Sequence, residues 1–190
     1  MYHFKLISKK MFYSFCKLNS KLGGHPDSTK LPLLNFSTGS LGHGLPNSVG
    51  FAYALKQQKS KKKIICLVGD QELMEGTTWE SLHAIDNYKL NNLILIIDRN
   101  KSDFRSIKFL KLRKKLSVFC DKIYEIDGHN VRSIDKILNK CLNNKLFNII
   151  IANTVKGYGI KSIENNPAWH HRSPTTQELE TFKSELKLDL

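Results

Sequence analysis

Long hydrophobic runs, closely spaced cysteines and acidic residues are all scarce in this sequence. No apolar run reaches the length of about 18 residues that a membrane-spanning helix requires, and the opening segment MYHFKLISKKMFYSF is broken by charge too often for a signal peptide. The four cysteines, Cys16, Cys66, Cys120 and Cys141, lie far apart and include no CxxC pair. We therefore interpret them as reduced thiols of a cytoplasmic protein.

The shortage of acids leaves the chain strongly basic. Its 30 Lys and Arg residues outnumber 17 Asp and Glu residues, which gives a formal net charge of +13. Such a charge favours anionic ligands or nucleic acid. The lysines are scattered, however, and the densest runs, at 59–64 and 108–115, are typical of a loop and a solvated helix face. No RNA-binding motif with interleaved aromatic residues and no zinc-finger spacing is present. We expect a solvated surface, without nucleic-acid or membrane partners.

Apolar segments alternate with amphipathic segments through most of the chain. The predicted strands cover residues 64–68, 93–98, 123–126 and 147–152, and the predicted helices cover 2–19, 45–58, 75–88, 106–120 and 131–144. Strands of this kind between helices predict an α/β fold, a doubly wound and mostly parallel sheet with helices on both faces. The length of 190 residues and the 41% hydrophobic content predict one domain over residues 1–190.

A long segment rich in Gly, Pro and Ser precedes this alternation. It covers residues 21–44 and predicts an ordered loop rather than a helix or strand. Loops of this length within a compact domain are usually functional. The helix that follows is expected to begin near Gly44, where its free N–H groups are available for close packing or for an anion.

Polar residues follow two of the predicted strands at their carboxyl ends. Asp70 follows the first strand and Asn100 follows the second. If these strands are neighbours, both side chains emerge at the edge where parallel sheets bind ligands. Their oxygens suit Mg²⁺ or Ca²⁺, although Asp and Asn are also common turn formers. The nearby acids Glu72, Glu75 and Glu80 have a second explanation, since acids stabilise a helix N-terminus.

Several separate blocks of the sequence carry a family resemblance. They read STGSLGHGLPNSVGFAYAL, LVGDQELMEGTTWESLHAIDNYKLNNLILIIDRN, IDGHN, NTVKGYGI and ENNPAWHHRSP. In this order, over about residues 20–175, they resemble the N-terminal, thiamine-diphosphate-binding region of the transketolases, and the chain is similar to the N-terminal half of a split transketolase. The resemblance implies a transferase that moves a two-carbon ketol unit from a ketose to an aldose, with phosphosugars as expected substrates. It also implies thiamine diphosphate and Mg²⁺, or Ca²⁺, as cofactors.

The resemblance assigns a metal and diphosphate site to the strand ends. Gly69-Asp70 begins the family's cofactor motif and Asn100 closes it. By this resemblance Asp70 and Asn100 bind the metal, and the backbone carbonyl of Ser102 supplies a third ligand. Gln71 stands where the family usually has the second glycine of Gly-Asp-Gly, next to the diphosphate. A residue with a side chain fits there if its φ is negative and the side chain points away.

Four further residues match positions that face the cofactor or the substrate in the family. Gly39 and Leu41 match positions beside the cofactor's aminopyrimidine. A tight turn would explain Gly39 equally well, but it would not explain Leu41. His25, in GGHP, matches a substrate-facing histidine, and His170, in AWHH, matches a cofactor- or substrate-facing one. We expect both histidines to be catalytic, whereas a lone histidine more often has a structural or surface role.

The resemblance also implies a partner. Glu75 and Glu80 match acids at the family's subunit interface, with helix N-terminal charge as the alternative. The glutamate that protonates the aminopyrimidine belongs, in the family, to the following pyrimidine-binding domain. We therefore expect a homo- or hetero-oligomer that includes a C-terminal partner subunit.

The resemblance starts near the middle of the family's first domain. Two histidines of the family's early segment have no counterpart, since His3 stands in a different context, and the absent helices would leave part of the sheet uncovered. A partner that fills the gap, a misassigned start and a loss of activity are all compatible with this departure. Besides an enzyme subunit, the sequence is compatible with a non-catalytic interaction module, a related thiamine enzyme that makes an unusual sugar, and a nucleic-acid-binding module.

Overall fold

Four parallel strands form the centre of the protein. A computed structural model describes residues 1–101 and 110–187. The strands are β1 (Ile64–Gly69), β2 (Leu93–Arg99), β3 (Ile123–Asp127) and β4 (Asn148–Asn153), arranged in the order β1-β2-β4-β3. All three pairings are parallel. The predicted α/β sheet is confirmed, and each strand end lies within one residue of its prediction.

Helices flank this sheet. They are α1 (Lys9–Phe12), α2 (Gly44–Gln57), α3 (Gly76–Asn87), α4 (Leu112–Leu116), α5 (Val131–Leu142) and α6 (Thr176–Glu185), with short 3₁₀ helices at Asp70–Met74 and Pro167–His170. The predictions for α2, α3 and α5 are confirmed. No helix in the described ranges has the length and apolar character needed to span a bilayer.

Two helix predictions differ from the structure. The helix expected over residues 2–19 is wrong for most of its length, because only the four residues of α1 are helical. The segment exposes Phe4 (74%), Phe15 (60%) and Leu18 (93%), so its apolar face packs against no described core. A helix without such packing is not expected to form over this length, because isolated short helices are marginal in water. The helix expected over 106–120 is α4 within the described residues, and its first part lies outside them.

Each face of the sheet has its own apolar core. One core lies on the side of α2 and α3 and includes Leu82, Ile85 and Leu95, all at most 1% exposed. The other lies under α5 and includes Ile94 and Ile150. Neighbouring residues of β2 enter opposite cores because side chains alternate along a strand. Helices therefore cover both faces, as the near-continuous apolar strands predicted.

The outer face of β1 is the exception. Ile65 and Leu67 pair with Ile94 and Ile96 of β2, which face α5, yet Ile65 is 47% and Leu67 is 69% exposed. Sheets of this class are normally covered on both faces. The exposure matches the expectation that part of the sheet is left bare.

Three of the four cysteines are buried as small apolar residues, and Cys16 is exposed. All four are free thiols, and Cys66, Cys120 and Cys141 are buried. Burial raises the pKa of each of these three thiols, which keeps them protonated at neutral pH.

The two faces of the sheet lead to a prediction about truncated leucines. We expect Leu95→Ala, which removes a fully buried side chain of β2, to lower the free energy of unfolding by about 2–5 kcal/mol. Leu67→Ala, on the exposed face of β1, should change it by less than about 0.5 kcal/mol. Urea denaturation of the isolated chain measures both values. Equal losses for the two variants would show that the face of β1 is covered.

Candidate active site

The carboxyl ends of β1 and β2 lie side by side. Gly69 pairs with Asp98 at the last step of the β1–β2 ladder, so Asp70 and Asn100 emerge at one edge of the sheet. Asp70 is buried, at 7% exposure, and its Oδ2 accepts a hydrogen bond from the Lys101 backbone N–H at 2.8 Å. The predicted meeting of these two strand ends is confirmed.

The donor atoms at this edge suit a hard cation. A buried carboxylate and a carboxamide oxygen are the ligand types that Mg²⁺ takes. Ser102, the expected third ligand, lies outside the described residues. Within residues 1–101 and 110–187 no group of three or more His, Cys, Asp or Glu side chains is placed to hold a metal. An ion held by Asp70 and Asn100 would therefore take its remaining ligands from backbone, water or a bound diphosphate.

Gln71 fits the backbone that follows Asp70. The chain enters the 3₁₀ helix Asp70–Met74 directly from β1, with Gly69 at φ −76°. Gln71 is not among the residues with positive φ. The backbone part of the condition is therefore met, because a residue with negative φ needs no glycine there. The direction of the Gln71 side chain stays a prediction. The role of Gln71 toward a cofactor stays a prediction.

Glu72 anchors the loop that carries Leu41. Its Oε2 accepts the Gly42 N–H at 2.6 Å, and the Thr77 hydroxyl donates to the Gly42 carbonyl at 2.7 Å. Gly42 has φ +76°, and a Cβ there would lie 2.5 Å from Thr77 Oγ1 and 2.6 Å from Glu75 Cβ. Only glycine fits this contact. From the sequence, Glu72 stood out only as one of several acids, and nothing in the local pattern indicated its anchoring role.

The same loop also contacts His25. Gly39 has φ +125°, and a Cβ there would lie 3.1 Å from Cγ of the His25 ring. The Thr38 N–H donates to the Pro26 carbonyl at 3.0 Å, which holds the two segments together. His25 and Leu41 are both exposed, Leu41 at 47%. The structure thus brings His25 against Gly39, and the loop that carries Gly39 and Leu41 is attached to the end of β1 through Gly42.

A hydroxyl network stiffens the turn after His25. The Asp27 carboxylate accepts hydrogen bonds from the Thr29 hydroxyl at 2.7 Å and the Thr29 N–H at 2.9 Å. These bonds lower the pKa of Asp27. The Ser28 N–H donates to the Ser37 hydroxyl at 3.0 Å. The segment 21–44 is therefore an irregular but well-connected loop, as predicted.

His170 is connected to the sheet through the loop after β4. Its Nδ1 lies 2.5 Å from Nζ of Lys156. In the same loop the Thr154 hydroxyl donates to the Asp98 carboxylate, and the Thr154 N–H donates to the Arg99 carbonyl at 3.1 Å. His170 is thereby linked to the ends of β2 and β4, whereas His25 is linked to the end of β1.

One of the two expected interface acids precedes α3 and the other lies on it. Glu75 is the N-cap residue, but its side chain makes no capping hydrogen bond. Glu80 lies beyond the first turn and is exposed. Helix N-terminal charge therefore accounts poorly for Glu80, and its place at a subunit interface stays a prediction.

Comparison with known proteins decides the family of this chain. The family described as transketolase, thiamine diphosphate binding domain, matches residues 2–189. This chain belongs to that family. The resemblance drawn from the sequence blocks is thus confirmed.

Curated relatives of the transketolase family include split forms. One relative is named as a subunit of the apulose-4-phosphate transketolase of Actinobacillus succinogenes, and it is 43% identical over 176 residues, which cover 89% of this chain and 63% of the relative. The protein of the same name from Phocaeicola vulgatus is 33% identical, covering 92% of this chain and 64% of the relative. Human transketolase is 36% identical over 81% of this chain and 25% of its own length. The chain therefore spans less than two thirds of these relatives.

Solved transketolases share the fold. The structure from Campylobacter jejuni superposes with a TM-score of 0.87 at 27% identity, covering 96% of this chain and 30% of that one. A Pichia stipitis transketolase crystallised with sedoheptulose 7-phosphate gives a TM-score of 0.81 at 22% identity, covering 96% and 29%. The second likeness supports the fold alone.

The anchored loop leads to a prediction with a matched glycine control. Gly42→Ala forces a side chain into a left-handed backbone and against Thr77 and Glu75, so we expect a loss of roughly 2–3 kcal/mol in the free energy of unfolding. Gly50→Ala, in the exposed middle of α2 with open space around it, should gain about 0.5–1 kcal/mol. Urea denaturation compares the two variants, and an unchanged stability of Gly42→Ala would contradict the described anchoring.

Proposed function

We propose that this chain is the diphosphate-binding subunit of a transketolase-type transferase. The enzyme moves a two-carbon ketol unit from a ketose to an aldose and uses thiamine diphosphate with Mg²⁺. The observation that carries the proposal is the buried Asp70 carboxylate, held by the Lys101 N–H at the strand edge that also presents Asn100. A buried carboxylate at the carboxyl end of a parallel sheet is suited to a cation and its anionic ligand.

The described residues fit the cofactor from several sides. Asp70 and Asn100 would hold Mg²⁺ through their oxygens, together with the carbonyl of Ser102. Gly69 and Gln71 would lie against the diphosphate at the start of the 3₁₀ helix. Bound thiamine diphosphate supplies the electron-accepting group that permits cleavage of a carbon–carbon bond next to a carbonyl.

The anchored loop would hold the other end of the cofactor. Gly39 and Leu41 would lie against its aminopyrimidine, and the Glu72–Gly42 hydrogen bond fixes their distance from the strand edge. His25, in contact with Gly39, would then lie beside the reacting carbon atoms, where an imidazole can bind a sugar hydroxyl or move a proton.

The contact with Lys156 determines what His170 can do. An ammonium group has donors only, so the Lys156 Nζ donates to Nδ1 of His170 and the ring proton lies on Nε2. His170 would thus present an N–H donor to a phosphate oxygen or a sugar hydroxyl. This donor role requires a neutral His170 ring, because Nδ1 must accept the hydrogen bond from Lys156.

The substrates we propose are phosphorylated sugars. The net charge of +13 attracts anionic substrates. Two relatives are named as subunits of apulose-4-phosphate transketolases, which makes apulose 4-phosphate our first candidate.

We further propose an assembly in the cytoplasm. Each of these two relatives is named as one subunit of its enzyme, which supports a C-terminal, pyrimidine-binding partner subunit for this chain. In the resulting homo- or hetero-oligomer, Glu75 and Glu80 would lie at the interface. The exposure of His25 and Leu41 supports a site that a partner completes. The four free thiols support the cytoplasm. Residues 1–190 would form one domain of this assembly.

A non-catalytic interaction module is the second candidate. Gln71 in place of the family's glycine and the bare face of β1 favour it, because both depart from a complete cofactor domain. Such a module would keep the fold and the interface without binding the cofactor.

Calorimetric titration of thiamine diphosphate with Mg²⁺ separates the two candidates. The titrated sample is the chain copurified with its C-terminal partner subunit. We expect saturable, Mg²⁺-dependent binding, and we expect Asp70→Asn to weaken it at least about tenfold by removing the ligand charge. The matched control is Asp86→Asn, at an aspartate whose side chain is 52% exposed, which should bind as the wild type does.

Circular dichroism establishes that both variants are folded. Absence of binding in a folded wild-type complex would sink the enzyme proposal and support the interaction module. Equal binding by Asp70→Asn and the wild type would remove Asp70 from the metal site.

A further inference from the structure

His129, which the cofactor site does not use, closes a junction between the ends of β3 and β4. Its backbone N–H donates to Asp127 Oδ1 at 2.9 Å, and its Nε2 accepts the Val155 N–H at 2.8 Å. Its ring stacks on Tyr158, with 3.7 Å between centroids and 11° between planes. Two contacts therefore fix this half-buried side chain, and a third fixes its backbone.

The acceptor role defines the state of the ring. A backbone N–H can only donate, so Nε2 of His129 carries no proton and the neutral ring has its proton on Nδ1. A phenyl ring could replace the stacking on Tyr158 but could not accept this hydrogen bond. An amide side chain could accept but could not stack in the same way.

Glycine brings the two strand ends close enough for this bond. The Gly128 N–H donates to the Asn153 carbonyl at 2.7 Å, and a Cβ on Gly128 would collide with the Thr154 methyl group. Gly128 thus lets the end of β3 approach the loop that leaves β4. His129 then reaches over that loop to the Val155 amide.

The residue after Val155 is the one that contacts His170. Lys156 Nζ lies 2.5 Å from Nδ1 of His170, and the Lys156 carbonyl accepts the Asn165 N–H at 2.9 Å. On the other side of Val155, Thr154 is bound to Asp98 of β2. The hydrogen bond from Val155 to His129 therefore holds the loop between Thr154, which is bound to the sheet, and Lys156, which contacts His170.

We infer that His129 is a positioning residue, which holds the Val155–Lys156 backbone through Nε2. It thereby places the Lys156–His170 pair at the edge of the sheet from which Asp70 and Asn100 emerge. The effect of that placement on cofactor binding rests on the proposed function. The statement that His129 holds the loop rests on the contacts of His129 alone.

Two substitutions separate the hydrogen bond from the ring. His129→Phe keeps an aromatic ring against Tyr158 and removes the acceptor, whereas His129→Gln restores an acceptor without a ring. His83→Gln is the matched control, because His83 contacts the Phe119 ring edge-on at 4.8 Å, on a helix away from the β3–β4 junction.

The first measurement is hydrogen exchange at the Val155 amide, followed by NMR in the isolated chain. A single hydrogen bond supports exchange differences of about five- to tenfold. We expect His129→Phe to accelerate exchange at Val155 by about that factor, and His129→Gln and His83→Gln to stay within about twofold of wild type. Wild-type protection of Val155 in His129→Phe would overturn the inference, and so would equal loss of protection in His129→Gln.

The second measurement is the dissociation constant of thiamine diphosphate in the complex with the partner subunit. We expect it to rise about three- to tenfold in His129→Phe and to return to within about twofold of wild type in His129→Gln. An unchanged constant in His129→Phe would overturn the positioning role. Failure of the wild-type complex to bind the cofactor would instead sink the proposed function, while the exchange at Val155 still decides whether His129 holds the loop.

Discussion

The candidate site depends on one buried charge at the end of β1. A carboxylate taken out of water loses its hydration, which is costly unless donors replace it. Asp70 meets this requirement because β2 runs parallel to β1 and ends in register with it, so that the chain leaving β2 turns its Lys101 N–H toward Oδ2. The parallel pairing and the hydrogen bond together place Asn100 beside Asp70, and the rest of the site is built around this edge.

Loops carry the remaining residues, and each loop is fixed by a specific contact. Glu72 holds Gly42, Gly39 lies against His25, and Thr154 is bound to Asp98. This arrangement is common in α/β proteins, where a rigid sheet positions functional loops. A left-handed backbone or a close approach excludes a Cβ. Gly39 and Gly42 are therefore required for the geometry of the loop rather than for a chemical role.

The regular elements were predictable from the sequence to different degrees. The strands were predictable because apolar runs bounded by polar residues leave little choice of structure. The helix over residues 2–19 was not, since periodicity identifies an apolar face but does not supply the surface that must bury it. The helix α6 went unnoticed although its capping box, Thr175 with Glu178, was legible in the sequence. The bonds between Glu72 and Gly42 and between His129 and Val155 join residues 30 and 26 positions apart, and no local pattern predicts such pairs.

Two exposed apolar side chains mark surfaces that the described residues leave uncovered. Leu41 is 47% exposed in the loop that Glu72 anchors, and Leu67 is 69% exposed on a strand of the central sheet. Covering apolar surface releases roughly 25 cal/mol per Å², so both side chains favour association with whatever covers them. Leu41 belongs to the loop that would meet the cofactor, whereas Leu67 lies on the α5 side of the sheet. The two exposures therefore belong to separate surfaces. In the proposed enzyme the cofactor and the partner subunit would cover Leu41, whereas Leu67 lies on the other surface, away from that loop.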